Sequence, residues 1–380
     1  MGRASRVAML CASPGIPALA PGGASVHLRA MATGFVAAGA EVRLFVRRRS
    51  RGGGVPDVAS PPGVSIVETP RGRLPGFLRK HRAWDEAVDA RAMGRLVAAA
   101  DWRPDLLYER WSLFSAVGRR LRQRLGVPWI LEVNAPLAWE ACWFEGLEPT
   151  PSLLRREEET LRSADRVLVV SQALRDYVLL RGVDSSRVVV VPNGADGLAS
   201  GRPEKSSCAP FVLGYEGTFK PWQGMVEAVP RLRELAASVS PRPLHLELWG
   251  DGPQRVEFLS RVGRGLEECA VDWRGWGTPE RTSWDAAWVP LRTWPPPSSA
   301  LSEVFGEAPP ERYFSPLKEA VARAAGLPCW YADDRGLVSA QSRPQPWRVI
   351  AERALDLADE IDHPTSAGGG QQRAAAAARA

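Results

Sequence analysis

The feature that most constrains this chain is an alternation. Short apolar runs give way to amphipathic segments at helical spacing from residue 6 into the 330s, and the pattern stops once and restarts. Residues 6–12 (RVAMLCA) suit a buried parallel strand, and a Gly/Pro loop follows. Val26, Leu28, Met31, Phe35 and Val36 then recur at near-helical spacing up to Gly39, before the strand-like AEVRLFVR. Strand, glycine loop, helix, strand is the opening of a doubly wound parallel sheet. The alternation runs on to RVVVVPNGAD, breaks at residues 196–209 (DGLASGRPEKSSCA), and resumes at PFVLGYEGTF. The expected fold class is therefore α/β, with two Rossmann-like, doubly wound domains facing a cleft. The expected divisions are an N-terminal domain over 1–197, a C-terminal domain over 208–346, a helix over 347–362 that packs back on the first domain, and a disordered tail over 363–380.

Composition narrows the class. No run approaches the roughly 20 apolar residues of a membrane span, and Pro14, Gly15 and Pro17 break the leader-like start early. Five scattered cysteines without a C-x-x-C pair argue against a disulfide framework or a zinc site. Together these point to a cytoplasmic protein. The net charge of +6 suits phosphate-bearing ligands or peripheral contact with a membrane, although a solvated Arg-rich surface accounts for most of it. Nucleic acid is not expected, because no aromatic residues are interleaved with the charge. Most basic residues are Arg. Lys occurs only at 80, 205, 220 and 318, and Asn only at 134 and 193, which draws attention to each of these positions.

Several strings occur in order: GGASVHLRAMATGFVAAGAEV, LYERWSLF, ILEVNAPLAWE, ADRVLVVSQALRDYV, VVPNGAD, GYEGTFKPWQGMVEA, WGDGP and YFSPLKEAVARAAGLP. Together, over about residues 6–330, they resemble the family-4 retaining glycosyltransferases of GT-B architecture, especially actinobacterial members. The resemblance implies a nucleotide-sugar donor on the C-terminal domain, and a small-molecule or glycan acceptor, from a natural product or the cell envelope, on the N-terminal one. It also implies transfer with retention and no bound cofactor. The absence of a D-x-D triplet agrees with a metal-independent reaction.

Gly22 and Gly23 precede a helix start, where free N–H groups favour an anion. The resemblance lays this loop over the donor diphosphate and the acceptor, although a plain strand–helix turn has the same sequence. Glu109, Arg110, Asn134 and Glu140 follow two strands at a sheet's carboxyl edge and are candidates for acceptor hydroxyls, as is His27. Asn193-Gly194 resembles the interdomain hinge. For the donor, Gly217 lets the backbone approach. Lys220 is placed to offset charge on the departing diphosphate, and Lys318 forms a second phosphate grip at a helix start with Ser315 as N-cap and Pro316 at the first helical position. These two lysines are the candidate catalytic residues. Trp222 reads equally as core or as a base-stacking surface.

The donor site also departs from the family pattern. In register with SPLK, Val321 stands where the family carries a ribose-binding Glu, and Glu319 lies about 200° around the helix from it. Glu319 is nonetheless the nearest carboxylate and is kept as a donor-binding candidate. Thr218 and Gln223 replace an Arg and a Lys, and residues 292–312 form a Pro-rich segment that reads as a lid or a disordered insert. A non-catalytic or accessory GT-B protein is the alternative reading.

Overall fold

The computed structural model describes residues 5–48, 57–75, 81–197, 205–266, 269–289, 298–306, 313, 317–339 and 343–363, except for the side chain of Trp222. The expected tail beyond 363, Ser315, Pro316 and much of the 292–312 segment lie outside the described residues.

In chain order the N-terminal lobe runs β1 (Arg6–Cys11), α1 (Gly23–Ala37), β2 (Glu41–Arg47), β3 (Val64–Thr69), α2 (Arg82–Ala99), β4 (Leu106–Arg110) and α3 (Val117–Leu125). It continues with β5 (Trp129–Val133), α4 (Leu137–Phe144), α5 (Pro151–Ser163), β6 (Arg166–Val169), α6 (Gln172–Leu180) and β7 (Val188–Val190). The C-terminal lobe runs β8 (Phe211–Glu216), α7 (Val229–Ser238), β9 (Leu244–Trp249), α8 (Arg255–Gly265), β10 (Ala270–Gly275), β11 (Ala286–Val289), α9 (Ser299–Phe305), α10 (Leu317–Ala324), β12 (Cys329–Tyr331) and β13 (Leu337–Val338). Helix α11 (Trp347–Asp362) closes the chain.

Strands β3-β2-β1-β4-β5-β6-β7 form one parallel sheet, and β10-β9-β8-β11-β12-β13 a second whose last strand is antiparallel. In both sheets the order reverses beside the first strand of the lobe, so two switch points, β1/β4 and β8/β11, present strand ends to one cleft. The two-domain α/β expectation holds. Between Pro328 and the last helix the chain makes the antiparallel β12–β13 pair.

Helix α11 crosses back to the N-terminal lobe, where Trp347, Ile350, Ala351 and Leu355 join Leu28, Met31 and Phe35 in one buried cluster. Gly34 of α1 permits this approach, because a Cβ there would lie 2.6 Å from the Trp347 carbonyl oxygen. Helix α9 is a second crossing. Leu301, Phe305 and Tyr313 are buried in the N-terminal core. Phe305 lies 6.1 Å from the Trp139 ring, and its carbonyl accepts from Arg181 Nη2 at 3.2 Å. The described part of the Pro-rich segment is thus a strap on α4 and α5, not a lid over the donor side.

The C-terminal core is aromatic. Tyr215 packs edge-on to Phe219 (5.3 Å) and Trp288 (5.7 Å), and Phe258 lies 5.7 Å from Trp288. Gly214 makes room for Trp284, since a Cβ there would lie 1.8 Å from its ring.

Candidate functional site

A cavity of about 640 Å³ lies between the two switch points. Among the described residues its lining holds four cationic side chains, Arg29, Arg110, Arg281 and Lys318, against one carboxylate, Glu216. Such a cleft attracts anions.

On the C-terminal side β8 ends at Glu216 and the chain turns at Gly217, whose φ of +145° lies outside the range L side chains readily adopt. A Cβ at Gly217 would also lie 2.4 Å from Lys318 Nζ. Lys318, in the first turn of α10, donates to the Tyr215 hydroxyl at 3.3 Å and to Gln223 Oε1 at 3.4 Å, and its ammonium stands 4.4 Å from the Tyr215 ring centroid. The Tyr215 hydroxyl in turn donates to the Thr218 carbonyl at 2.8 Å, which ties the lysine to the aromatic core. Arg281 pairs with Glu216 across the same wall, and Trp249, Trp276 and Val321 complete it.

On the N-terminal side Gly23, His27, Arg110 and Asn134 line the cleft, with Asn193 from the β7 end. Arg29 holds the glycine loop by donating to the carbonyls of Ala18 (2.6 Å) and Ala20 (2.7 Å). Neither Gly22 nor Gly23 is required sterically, as a Cβ at either meets nothing within 4 Å. Gly22 is the N-cap of α1 and is not itself part of the lining, although Pro21 and Gly23 are. His27 is 4 % exposed and its Nε2 lies 2.6 Å from Glu132 Oε1. Burial alone would raise the Glu132 pKa, but the His27 and Arg110 charges outweigh it and hold the carboxyl at about 2.

Several expected site residues stand elsewhere. Glu109 alternates with Tyr108 and Arg110 along β4 and so faces away from the cleft. It is 1 % exposed, accepting from Ser115 Oγ at 2.9 Å and from the Gly118 N–H at 3.1 Å, and burial lifts its pKa to about 7. Glu140, on α4, receives the Tyr313 hydroxyl and anchors the strap instead of lining the cleft. Glu319 pairs with Arg323 and lines a separate cavity at the hinge, as its angular offset from Val321 requires. Lys220 caps the short turn Pro221–Gln223, and its side chain is not among those lining the cleft, whereas Gln223 is. Arg281 therefore joins Lys318 where a second lysine was expected. Arg281, Glu216 and Glu132 were not singled out from the sequence. Glu132 was within reach, because it precedes Asn134 by two and so shares its face of β5.

With this geometry in place, the relationships of the chain become informative. Residues 22–194 match the family described as Glycosyl transferase 4-like domain. The chain is 28% identical over 275 residues to the D-inositol 3-phosphate glycosyltransferase of Thermomonospora curvata, a match covering 64% of this chain and 62% of that protein. It is 27% identical over 219 residues to the protein of the same name from Segniliparus rotundus, covering 56% and 47%. The matches thus span less than two thirds of the length of these curated relatives. Among solved structures, sucrose-phosphate synthase from Thermosynechococcus elongatus superposes with a TM-score of 0.61 at 19% identity, over 94% of this chain and 90% of that one. Anabaena HepE in complex with UDP and glucose gives 0.55 at 15%, over 93% of each chain. The fold is that of the GT-B glycosyltransferases.

Proposed function

We propose that this chain is a glycosyltransferase that moves a sugar from a nucleotide-sugar to an acceptor. The donor diphosphate lies against Lys318, Arg281 and the Gly217 turn, and the acceptor lies against the N-terminal wall. The observation that carries this reading is the placement of Lys318 at a helix start, braced by Tyr215 and Gln223 and facing the opposite lobe across an electropositive cleft. As the glycosidic bond breaks, negative charge grows on the leaving phosphate. A fixed ammonium and guanidinium then stabilise the transition state more than the ground state.

In this reading the cations of the C-terminal wall serve in place of a metal ion. Transfer proceeds with retention by front-face displacement, with the leaving phosphate oxygen taking the acceptor's proton. The family match, the curated relatives and the UDP-bound neighbour support a nucleotide-sugar donor. A hexose donor, a natural-product or cell-envelope acceptor, an actinobacterial setting and action in the cytoplasm at or near a membrane surface complete the proposal. Among the described residues no helix is long and apolar enough to cross a membrane.

Val321 on the donor wall favours a second reading, an accessory GT-B protein with a degenerate donor site. A screen of UDP-, GDP- and dTDP-sugars for hydrolysis or transfer separates the two. Turnover of one donor, reduced about ten- to a hundredfold in Lys318→Ala, supports the enzyme. No turnover, together with no binding of any nucleoside diphosphate at millimolar concentration, supports the accessory role.

A further inference from the structure

In an α/β lobe a strand hands on to a helix that covers its own sheet. The C-terminal lobe departs from this once. Val289 ends β11 in the C-terminal core, and Ala322 of α10 packs in that same core. Between the two, the chain docks on the other lobe at two places. The first is α9, where Leu301 and Phe305 enter the N-terminal core. Arg181, bonded through Nε to the fully buried Glu157 at 3.3 Å, reaches the Phe305 carbonyl with Nη2. The second is Tyr313, which is 1 % exposed in the N-terminal core. Its hydroxyl donates to Glu140 and its carbonyl accepts from Ser171 Oγ. Ser171 also caps α6, accepting from the Leu174 N–H at 3.1 Å, and it directly follows Val170, which lines the cleft.

Lys318 comes only five residues after Tyr313. Fully extended, the stretch from Tyr313 to Leu317 spans no more than about 14 Å. While Tyr313 is seated, the start of α10 therefore stays close to the N-terminal lobe. Leu317 adds a contact of its own, packing against the cluster that α1 and α11 form and also lining the cleft. The Lys318 ammonium, by contrast, is held from the C-terminal lobe by Tyr215 and Gln223. The first turn of α10 is thus fixed from both sides, its backbone by one lobe and its cation by the other. A cation set at one separation from the opposite wall suits a ligand that touches both. If the helix start wanders, apparent affinity falls by the fraction of time it is out of place.

We propose that Tyr313 is a positioning residue for Lys318. The strap anchors α10 to the N-terminal lobe and so sets where the donor-side cation stands relative to the facing wall. Tyr313 acts through the helix start and touches no substrate. The inference rests on the transferase reading and names a residue that serves the donor site from the other lobe.

Hydrogen exchange of the ligand-free full chain reads the anchoring. Tyr313→Phe keeps the ring and loses the hydroxyl, and it should raise exchange across Leu317–Ala324 about two- to tenfold, the worth of one hydrogen bond. Tyr313→Ala should raise it further. Calorimetry with UDP, GDP and dTDP reads the consequence. The nucleotide that binds the wild type should bind Tyr313→Phe about two- to tenfold more weakly. In a Lys318→Ala background the same substitution should leave affinity unchanged, because the cation it positions is gone. A merely structural tyrosine would loosen α4 and α9 but not α10, and would weaken binding equally in both backgrounds. Three outcomes overturn the proposal: wild-type exchange in α10 of Tyr313→Ala, unchanged nucleotide affinity in Tyr313→Phe, or an equal loss with and without Lys318. If Tyr313→Ala does not fold, Tyr313→Phe carries both readings. Failure of the transferase reading looks different, since no nucleoside diphosphate would then bind the wild type, while exchange in α10 still decides whether Tyr313 anchors it.

Discussion

The ammonium of Lys318 rests 4.4 Å from the centroid of the Tyr215 ring and 3.3 Å from its hydroxyl, so the cation that faces the cleft is mounted on the C-terminal lobe's core. A lysine held this way keeps its position before ligand arrives, and less side-chain entropy is lost on binding. Removing it strips one charge-assisted contact from the diphosphate, on the order of 1.5–3 kcal/mol. Lys318→Ala is expected to raise the KM for donor and lower kcat, about ten- to a hundredfold together in kcat/KM. Tyr215→Phe, which leaves the ring and removes the hydroxyl, should fall between wild type and Lys318→Ala.

The Gly217 turn is expected to tolerate nothing larger. Its φ of +145° and the 2.4 Å approach of Lys318 Nζ to a Cβ act together. Gly217→Ala should cost about 1–3 kcal/mol of stability, read by chemical denaturation, and should weaken nucleoside diphosphate binding. A variant with wild-type binding would show that Lys318 does not need this position.

Val321 lines the donor wall, where it brings no hydrogen-bonding group. Val321→Glu is expected to raise nucleoside diphosphate affinity by about tenfold, the worth of one added hydrogen bond to a ribose hydroxyl. Calorimetry decides. Unchanged or weaker binding would mean that the ribose lies away from this position.

Glu109 makes stability depend on pH. Its folded pKa of about 7 exceeds the unfolded value near 4.3, so the unfolded chain gives up its proton first. The neutral carboxyl favours folding fully only below about pH 4, and stability drains away as pH rises to about 7, by about 4 kcal/mol in all. Glu132 runs the other way. Its depressed pKa adds stability above the unfolded value that is lost as pH falls toward about 2. Glu109→Gln should therefore flatten the decline in melting temperature between pH 5 and 8. A slope equal to that of the wild type would contradict the assignment.

The strap is a structural claim of its own. Phe305 is 4 % exposed and packs near Trp139, so Phe305→Ala is expected to cost about 3–5 kcal/mol. Hydrogen exchange should rise in α4–α6 of the N-terminal lobe, although the mutation lies in the sequence of the C-terminal one. Loss of protection confined to residues near 305 would argue against the crossing.

The fold was legible because strand and helix periods survive on a single chain, and two switch points follow from the restart after residue 209. The cleft was legible where strand ends carry it, at Arg110, Asn134 and Gly217. What failed was facing. Glu109 and Arg110 are neighbours, yet one step along β4 sends one to the core and the other to the cleft. Lys220 looked equivalent to Lys318, but the short turn after it places Gln223 on the wall instead. Arg281 lies in a connection without period, so no pattern announced its pairing with Glu216. The strap was hidden for a similar reason, because Leu301 and Phe305 sit in a Pro-rich stretch whose partner surface is some 160 residues away in the sequence.

The central claim, that a braced cation at the start of α10 receives the donor's diphosphate, is tested most directly by calorimetric titration of UDP, GDP and dTDP into the wild type and Lys318→Ala. One nucleotide should bind the wild type, with affinity falling about ten- to a hundredfold in the variant. Equal affinity in the two proteins would contradict the account.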